Sequence, residues 1–251
     1  MNCGSSCGSY CTGCTDSGDC ELGMQCLNNE CVPDSGDGPG VGPGPTCNSL
    51  PTRDCTSGCG ALVSFNPRTT SYYDDYPING ETASNQYRSY LRKDLMMLLQ
   101  YATAFVECKA STWNTGNGGA LGFGDMSESN GAIPGTSTGS PGHPANTHTN
   151  GYDIDLAYFQ MGQANNYLRS VCDHVSSGQD QYHCVSEPDI LDVWRTALFL
   201  GAVLTSPRVR VIGVDGKVGQ LVESAMTELC ATGWLSQTAC NNKYKIAYEV
   251  T

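Results

Sequence analysis

Fifteen cysteines in a chain of 251 residues constrain this sequence more than any other feature. Thiols at that density, among loops rich in Gly, Asn and Ser, read as a disulfide framework made outside a reducing cytoplasm. They fall into two groups. Seven (Cys3, Cys7, Cys11, Cys14, Cys20, Cys26 and Cys31) crowd the first 31 residues, where almost nothing apolar accompanies them. A segment with no hydrophobic core of its own must be held by disulfides, so residues 1–33 are expected to form a small Cys-rich module. Residues 34–46, Asp-Ser-Gly-Asp-Gly-Pro-Gly-Val-Gly-Pro-Gly-Pro-Thr, lack any periodicity and read as a solvated Gly/Pro tether. From Cys47 to Thr251 the composition is globular. The eight cysteines there (47, 55, 59, 108, 172, 184, 230 and 240) are an even set that can pair internally. Closeness in sequence suggests Cys172 with Cys184 and Cys230 with Cys240.

The same cysteines imply export, to a periplasm, an outer surface or the medium, with a lipid anchor compatible. The chain nevertheless opens Met1-Asn2-Cys3 with no basic and apolar leader, so the expectation is a removed signal peptide or a start that lies further upstream. A net charge of −12 without any cluster of Lys or Arg argues against nucleic acid, whose binding rests on phosphate neutralisation. No run of about eighteen apolar residues exists, so no transmembrane helix is expected. Cys11-x-x-Cys14 has neither a second such pair at zinc-finger spacing nor a βαβ context, and reads as disulfide rather than metal or redox chemistry.

Periodicity divides residues 47–251 into helices and short strands. Leu91, Leu95, Leu98, Leu99, Ala102 and Phe105 recur at three- and four-residue steps, which predicts a helix over 87–108 with one buried face. Residues 190–204 read likewise and are stopped by Pro207. Residues 208–214 alternate like a strand, the Asp215-Gly216 turn follows, and a helix is expected over 218–231. Residues 244–250 alternate again. Helices mixed with short strands and long loops define an α+β class, pictured as a small antiparallel sheet with flanking helices behind the disulfide-rich N-terminal module.

Chemistry concentrates between residues 137 and 157. His143 and His148, half of the chain's four histidines, stand beside Asp153 and Asp155. Imidazole nitrogen with carboxylate oxygen suits zinc, and a His and an Asp held across a short turn supply two of the three protein ligands of a catalytic site. Asn150-Gly151 is a strong tight-turn dipeptide, so a hairpin is expected to bring His148 back onto a strand beginning at Tyr152. Alternation then places Asp153 and Asp155 on one face and Ile154 and Leu156 on the other, so that one carboxylate can bind metal while the other orients a ligand from behind. His143 is a candidate catalytic group. Asp125 reads as a turn residue framing the site and Glu128 as a weak helper carboxylate. Trp113 and the Tyr72, Tyr73, Tyr76 cluster are either groove or packing residues. Asp189, Asp192 and Arg195, at helical spacing, read as a surface ion pair.

Those residues resemble a family. His148-x6-Asp155, within Gly142-His143…His148-Thr-Asn-Gly151-Tyr-Asp153-Ile-Asp155, is similar to the Gly-His-x-x-His-x-x-Gly-x-Asp-x-Asp run of the zinc peptidases that include the penicillin-insensitive murein endopeptidase and the D-alanyl-D-alanine carboxypeptidases, of hedgehog-like fold. The two histidines are five residues apart here and three apart there. The likeness is specific over about twenty residues and diffuse from Asp125 onward. It implies a zinc sheet, Zn2+ as cofactor held by His148, Asp155 and a later histidine with Asp153 behind a ligand, peptidoglycan peptides as substrate and amide hydrolysis as the reaction. It also implies a downstream His-x-His motif. No histidine follows His183, so the resemblance leads to the expectation of a zinc-peptidase-like domain truncated at its C-terminus. Two other readings stand beside it: His174 or His183 as third ligand through a rearranged loop, and a non-catalytic exported surface or wall-binding protein that keeps the peptidase fold. The Cys-rich head, which resembles small modules of bacterial surface proteins, is a third candidate for the functional part.

Overall fold

The computed structural model describes residues 42–75, 89–114 and 116–248 together with Pro39, and the backbone alone of residues 24–27 and 30–33. In chain order the strands and α-helices are β1 (Met24–Leu27), β2 (Glu30–Pro33), β3 (Leu62–Ser64), β4 (Tyr73–Asp75), β5 (Tyr90–Arg92), α1 (Lys93–Lys109), β6 (Leu121–Phe123), β7 (Val175–Ser176), β8 (Gln179–Asp180), α2 (Val193–Val203), β9 (Ile212–Gly213), α3 (Gly216–Ala231), α4 (Gln237–Asn241) and β10 (Ile246–Ala247). Helices mixed with two-stranded sheets agree with the α+β reading. β1 pairs antiparallel with β2. The rest of the expected Cys-rich module, most of the tether and Tyr76 lie outside the described residues.

Each helix starts where a local group satisfies its free amides or a strand gives way to it. α2 begins at Val193 because the Asp192 carboxylate accepts from the Arg195 N–H. It is apolar on nearly every side and sits in the middle of the core, packed on α1 and on α3. α3 begins two residues ahead of the expected start because Asp215 accepts from the Lys217 N–H. The same carboxylate accepts from the Cys184 N–H at 2.7 Å, tying the loop before α2 to the start of α3. α1 begins at Lys93, later than the periodicity suggests, because Tyr90–Arg92 is claimed by a strand: β5 runs antiparallel to β3. Of the predicted strand over 208–214 only Ile212–Gly213 pairs, parallel to Ile246–Ala247.

β6 is the strand on which the fold turns. On one edge it pairs in parallel with β4, so the sheet is mixed and not purely antiparallel. Phe123 stacks on Tyr73 with ring centroids 5.1 Å apart, and Phe65 meets the two rings edge-on, each at 5.2 Å. These three buried rings lock β6 and β4 together. Tyr73 is thus a core residue, and so is Trp113, whose ring lies 5.3 Å from Trp234; neither lines a groove.

All eight cysteines beyond the tether pair. Cys172–Cys184 and Cys230–Cys240 form as their proximity suggests. Cys47–Cys108 fastens the start of the domain to the last turn of α1, and Cys55–Cys59 closes a short loop. Among the described residues no helix is long and apolar enough to cross a membrane.

The Asp192–Arg195 pair requires a correction. It is not on the surface: the two residues are 2% and 5% exposed. One guanidinium nitrogen holds Asp192 at 2.7 Å, and another donates to the carbonyls of Ala110 and Trp113 just past the end of α1. The pair therefore closes the C-terminus of one helix with the N-cap of another. Because α2 is enclosed all round, an i,i+3 spacing that is solvated on most helices is buried here. Arg195→Met should lower the unfolding free energy by about 3–5 kcal/mol, the range found when a buried ion pair loses one partner, read from guanidinium unfolding with disulfides intact.

Candidate metal centre

The candidate site is built on the free edge of β6. The Gly122 carbonyl accepts from the Ala157 N–H at 3.0 Å, the Gly124 N–H donates to the Asp155 carbonyl at 2.8 Å, and the Asp155 N–H donates to the Asp125 carbonyl at 3.0 Å. Residues 155–157 thus run antiparallel to residues 122–125, with Leu156 opposite Phe123. The hairpin expected around Asn150-Gly151 does not form. The chain makes a 3-10 turn, Thr149–Gly151, and delivers the following residues to β6, not back to the His143–His148 segment. The face assignment nevertheless agrees with the alternation: Ile154 and Leu156 pack on the core, while Asp153 and Asp155 flank one imidazole.

The approach to the turn is strained. Asn146, His148 and Asn150 have φ of 74°, 51° and 54°, the left-handed region that costs non-glycine residues free energy. Three contacts hold it there. The Asn150 N–H donates to the Gly131 carbonyl at 2.8 Å and the His148 N–H to Asp153 Oδ2 at 2.8 Å. Gly151, at φ 65°, presses on the backbone of β5, where an added Cβ would lie 2.5 Å from the Arg92 nitrogen and 2.7 Å from Leu91 Cα.

Three donors converge on this frame. His148, only 4% exposed, points Nε2 at Asp155 Oδ1 across 3.5 Å and Nδ1 at Asp153 Oδ2 across 3.6 Å. Neither is a hydrogen bond at such a length, and His148 Nδ1 is one of the few buried polar side-chain atoms among the described residues with no hydrogen-bond partner. His143 lies alongside, with its ring centroid 4.4 Å from that of His148 and Nε2 2.5 Å from Asp125 Oδ2. One donor atom each from His143, His148 and Asp155 lie within 4.8 Å of one another. Two imidazoles and a carboxylate at this separation form a candidate cation site. Burial pushes the Asp155 carboxyl above the usual carboxylate range, aided by the charges of Asp125 and Asp153 and opposed by the two histidines.

The third donor was the element that spacing failed to find. It comes from five residues upstream of His148, not from downstream. Asp125, read as a framing turn residue, is buried and bonded to that donor. Glu128 is buried too, but its Oε1 accepts from the Ser137 amide at 2.8 Å and hydroxyl at 3.0 Å, which secures the loop ahead of His143. Cys172, His174 and Cys184 also lie close together, yet the two sulfurs are bonded to each other and offer no thiolate. Neither His174 nor His183 joins the donors that meet at Asp155. No protein-family model, no curated protein and no solved structure matches the chain.

Gly151→Ala should cost about 1 kcal/mol for the positive φ alone and more for displacing β5, read as a lower thermal midpoint. Asp155 allows a separate check. A carboxyl whose pKa is raised on folding binds its proton more tightly in the native state, so native stability falls as pH rises above the unfolded-state carboxylate range and stays reduced at neutral pH. Asp155→Asn should therefore raise the thermal midpoint of the cation-free protein at pH 7.

Proposed function

We propose that residues 47–251 form a zinc-dependent peptidase domain that hydrolyses amide bonds in peptidoglycan peptides. The observation that carries this reading is the 3.5 Å separation of His148 Nε2 and Asp155 Oδ1. Two ligands at 2.0–2.2 Å from a tetrahedral zinc are about 3.4 Å apart, so the pair stands at the distance of two ligands of one ion. The donor chemistry fits the same ion, since nitrogen and oxygen ligands with no thiolate match catalytic zinc sites. Supporting it is the register of His148-x6-Asp155, which is similar to that of the murein endopeptidases and D-alanyl-D-alanine carboxypeptidases. The four disulfides are consistent with work in the oxidising compartment where such substrates occur.

His148, Asp155 and His143 would hold the ion, and what bound zinc supplies is a polarised amide carbonyl and a water whose pKa falls toward about 7. The remaining tasks belong to the chain. Asp153 accepts from the His148 main-chain N–H and so holds the strained backbone that carries the imidazole, with its carboxylate 3.6 Å from the far ring nitrogen. Ile154 and Leu156 anchor the segment to the core on its opposite face. Asp155 is half-exposed, which leaves the centre open to a peptide.

His148→Ala and Asp155→Ala should each abolish zinc retention, read by metal analysis after gel filtration, and cleavage of purified muropeptides, read by chromatography. Cleavage at the unaltered rate in either variant would overturn the proposal. Zinc retention by the unaltered protein without cleavage, but with co-sedimentation on insoluble peptidoglycan, would make a wall-binding role the better reading.

A further inference from the structure

We propose that Asp125 is a positioning residue that sets two of the three cation donors at once. The inference rests on the zinc reading above, and deepens it by naming what holds the centre in place.

Its side chain acts on His143. With Asp125 Oδ2 2.5 Å from Nε2, a neutral imidazole carries its proton on Nε2 and keeps the lone pair of Nδ1 for a cation. A carboxylate behind a ligand histidine fixes the tautomer, stops the ring from turning and raises the basicity of the other nitrogen. Asp125 itself is 7% exposed, so the contact is little weakened by solvent.

Its main chain acts on Asp155. The Asp125 carbonyl accepts from the Asp155 N–H, and the neighbouring Gly124 N–H donates to the Asp155 carbonyl. This pair of bonds fixes which residue of the 153–157 segment stands opposite Asp125, and therefore which carboxylate faces His148. A slip by one residue would turn Ile154 toward the histidines. A side chain on Gly124 would crowd the crossing, with a Cβ 3.2 Å from the Asp155 carbonyl oxygen, and would displace Leu168 Cδ1, 2.3 Å away. Asp125 thus stands at the end of the β6 edge and reaches both donor segments from there, His143 through its side chain and Asp155 through its main chain. His148 differs: Asp153 accepts from its main-chain N–H at 2.8 Å, while its Nδ1 and Asp153 Oδ2 stand 3.6 Å apart, beyond hydrogen-bond length.

The decisive experiment compares the unaltered protein with Asp125→Asn, which keeps the backbone bonds and the side-chain shape. Zn2+ affinity by chelator competition should fall about 10- to 100-fold, the range for lost carboxylate support behind a ligand. The visible spectrum of the Co2+ form should shift, and the far-ultraviolet circular dichroism should not change. Nitrogen-15 NMR of the cation-free, unaltered protein should show His143 protonated on Nε2, a readout that needs no variant. Affinity within about twofold of the unaltered protein, or a His143 proton on Nδ1, would overturn the assignment of Asp125 alone. If the unaltered protein binds neither Zn2+ nor Co2+, the zinc reading fails and this inference fails with it.

Discussion

Everything at the candidate centre depends on three backbone hydrogen bonds between residues 122–125 and 155–157. A strand edge repeats every two residues, so these bonds decide which side chains face the core and which face the histidines. They hold because β6 is fixed from every other side. Phe123 is wedged into the Phe65–Tyr73 cluster, β4 covers the other edge, and the Asn166 side chain binds the Gly119 carbonyl at 2.8 Å where the strand begins. The aromatic core therefore positions the centre without touching it.

The rest of the domain compensates for how little regular sheet it contains. With strands of two or three residues, ladder hydrogen bonds cannot carry the loops, and their polar groups need other partners. Buried and partly buried side chains supply them: Asn166 binds Asn117 and Gly119 while its main-chain carbonyl accepts from the Gly122 N–H of β6, Arg195 closes α1, Asp215 ties the Cys184 loop to α3, and Glu128 holds Ser137. Disulfides act on the same segments, with Cys172–Cys184 bracing the loop before α2 and Cys230–Cys240 joining α3 to α4. A framework of this kind can keep a long irregular connection in one conformation, which a site built on residues 125–155 requires.

How much was legible in the sequence follows from the range of each interaction. The helices showed through their 3.6-residue period, and two disulfides showed because their cysteines lie ten and twelve residues apart. The faces of Asp153 and Asp155 were legible since alternation is local. What stayed hidden was set by contacts distant in sequence. Whether Asn150-Gly151 closes a hairpin depends on Gly131 and on the backbone of β5, not on the dipeptide. The burial of Asp192 and Arg195 depends on α1 and Trp113. His143 gained its place through Asp125, eighteen residues away, and a search for ligands by family spacing looked downstream of Asp155 instead.

Three unfavourable features coincide within residues 146–155, and their coincidence is an argument in itself. Non-glycine residues adopt left-handed φ, a buried imidazole nitrogen has no hydrogen-bond partner, and a carboxylate is held where ionisation is disfavoured. Each lowers stability, and each has a plain local remedy in another residue type: glycine at Asn150, an apolar side chain at His148, an amide at Asp155. Departures from local consistency gather where a structure serves something other than folding. A cation at the candidate centre would account for two of them: it would neutralise the carboxylate and make the strained turn the conformation in which His148 Nε2 and Asp155 reach one point, whereas the unpaired nitrogen is Nδ1, on the Asp153 side. No single surface role for these residues, such as a capped loop or an isolated ion pair, accounts for more than one of the three.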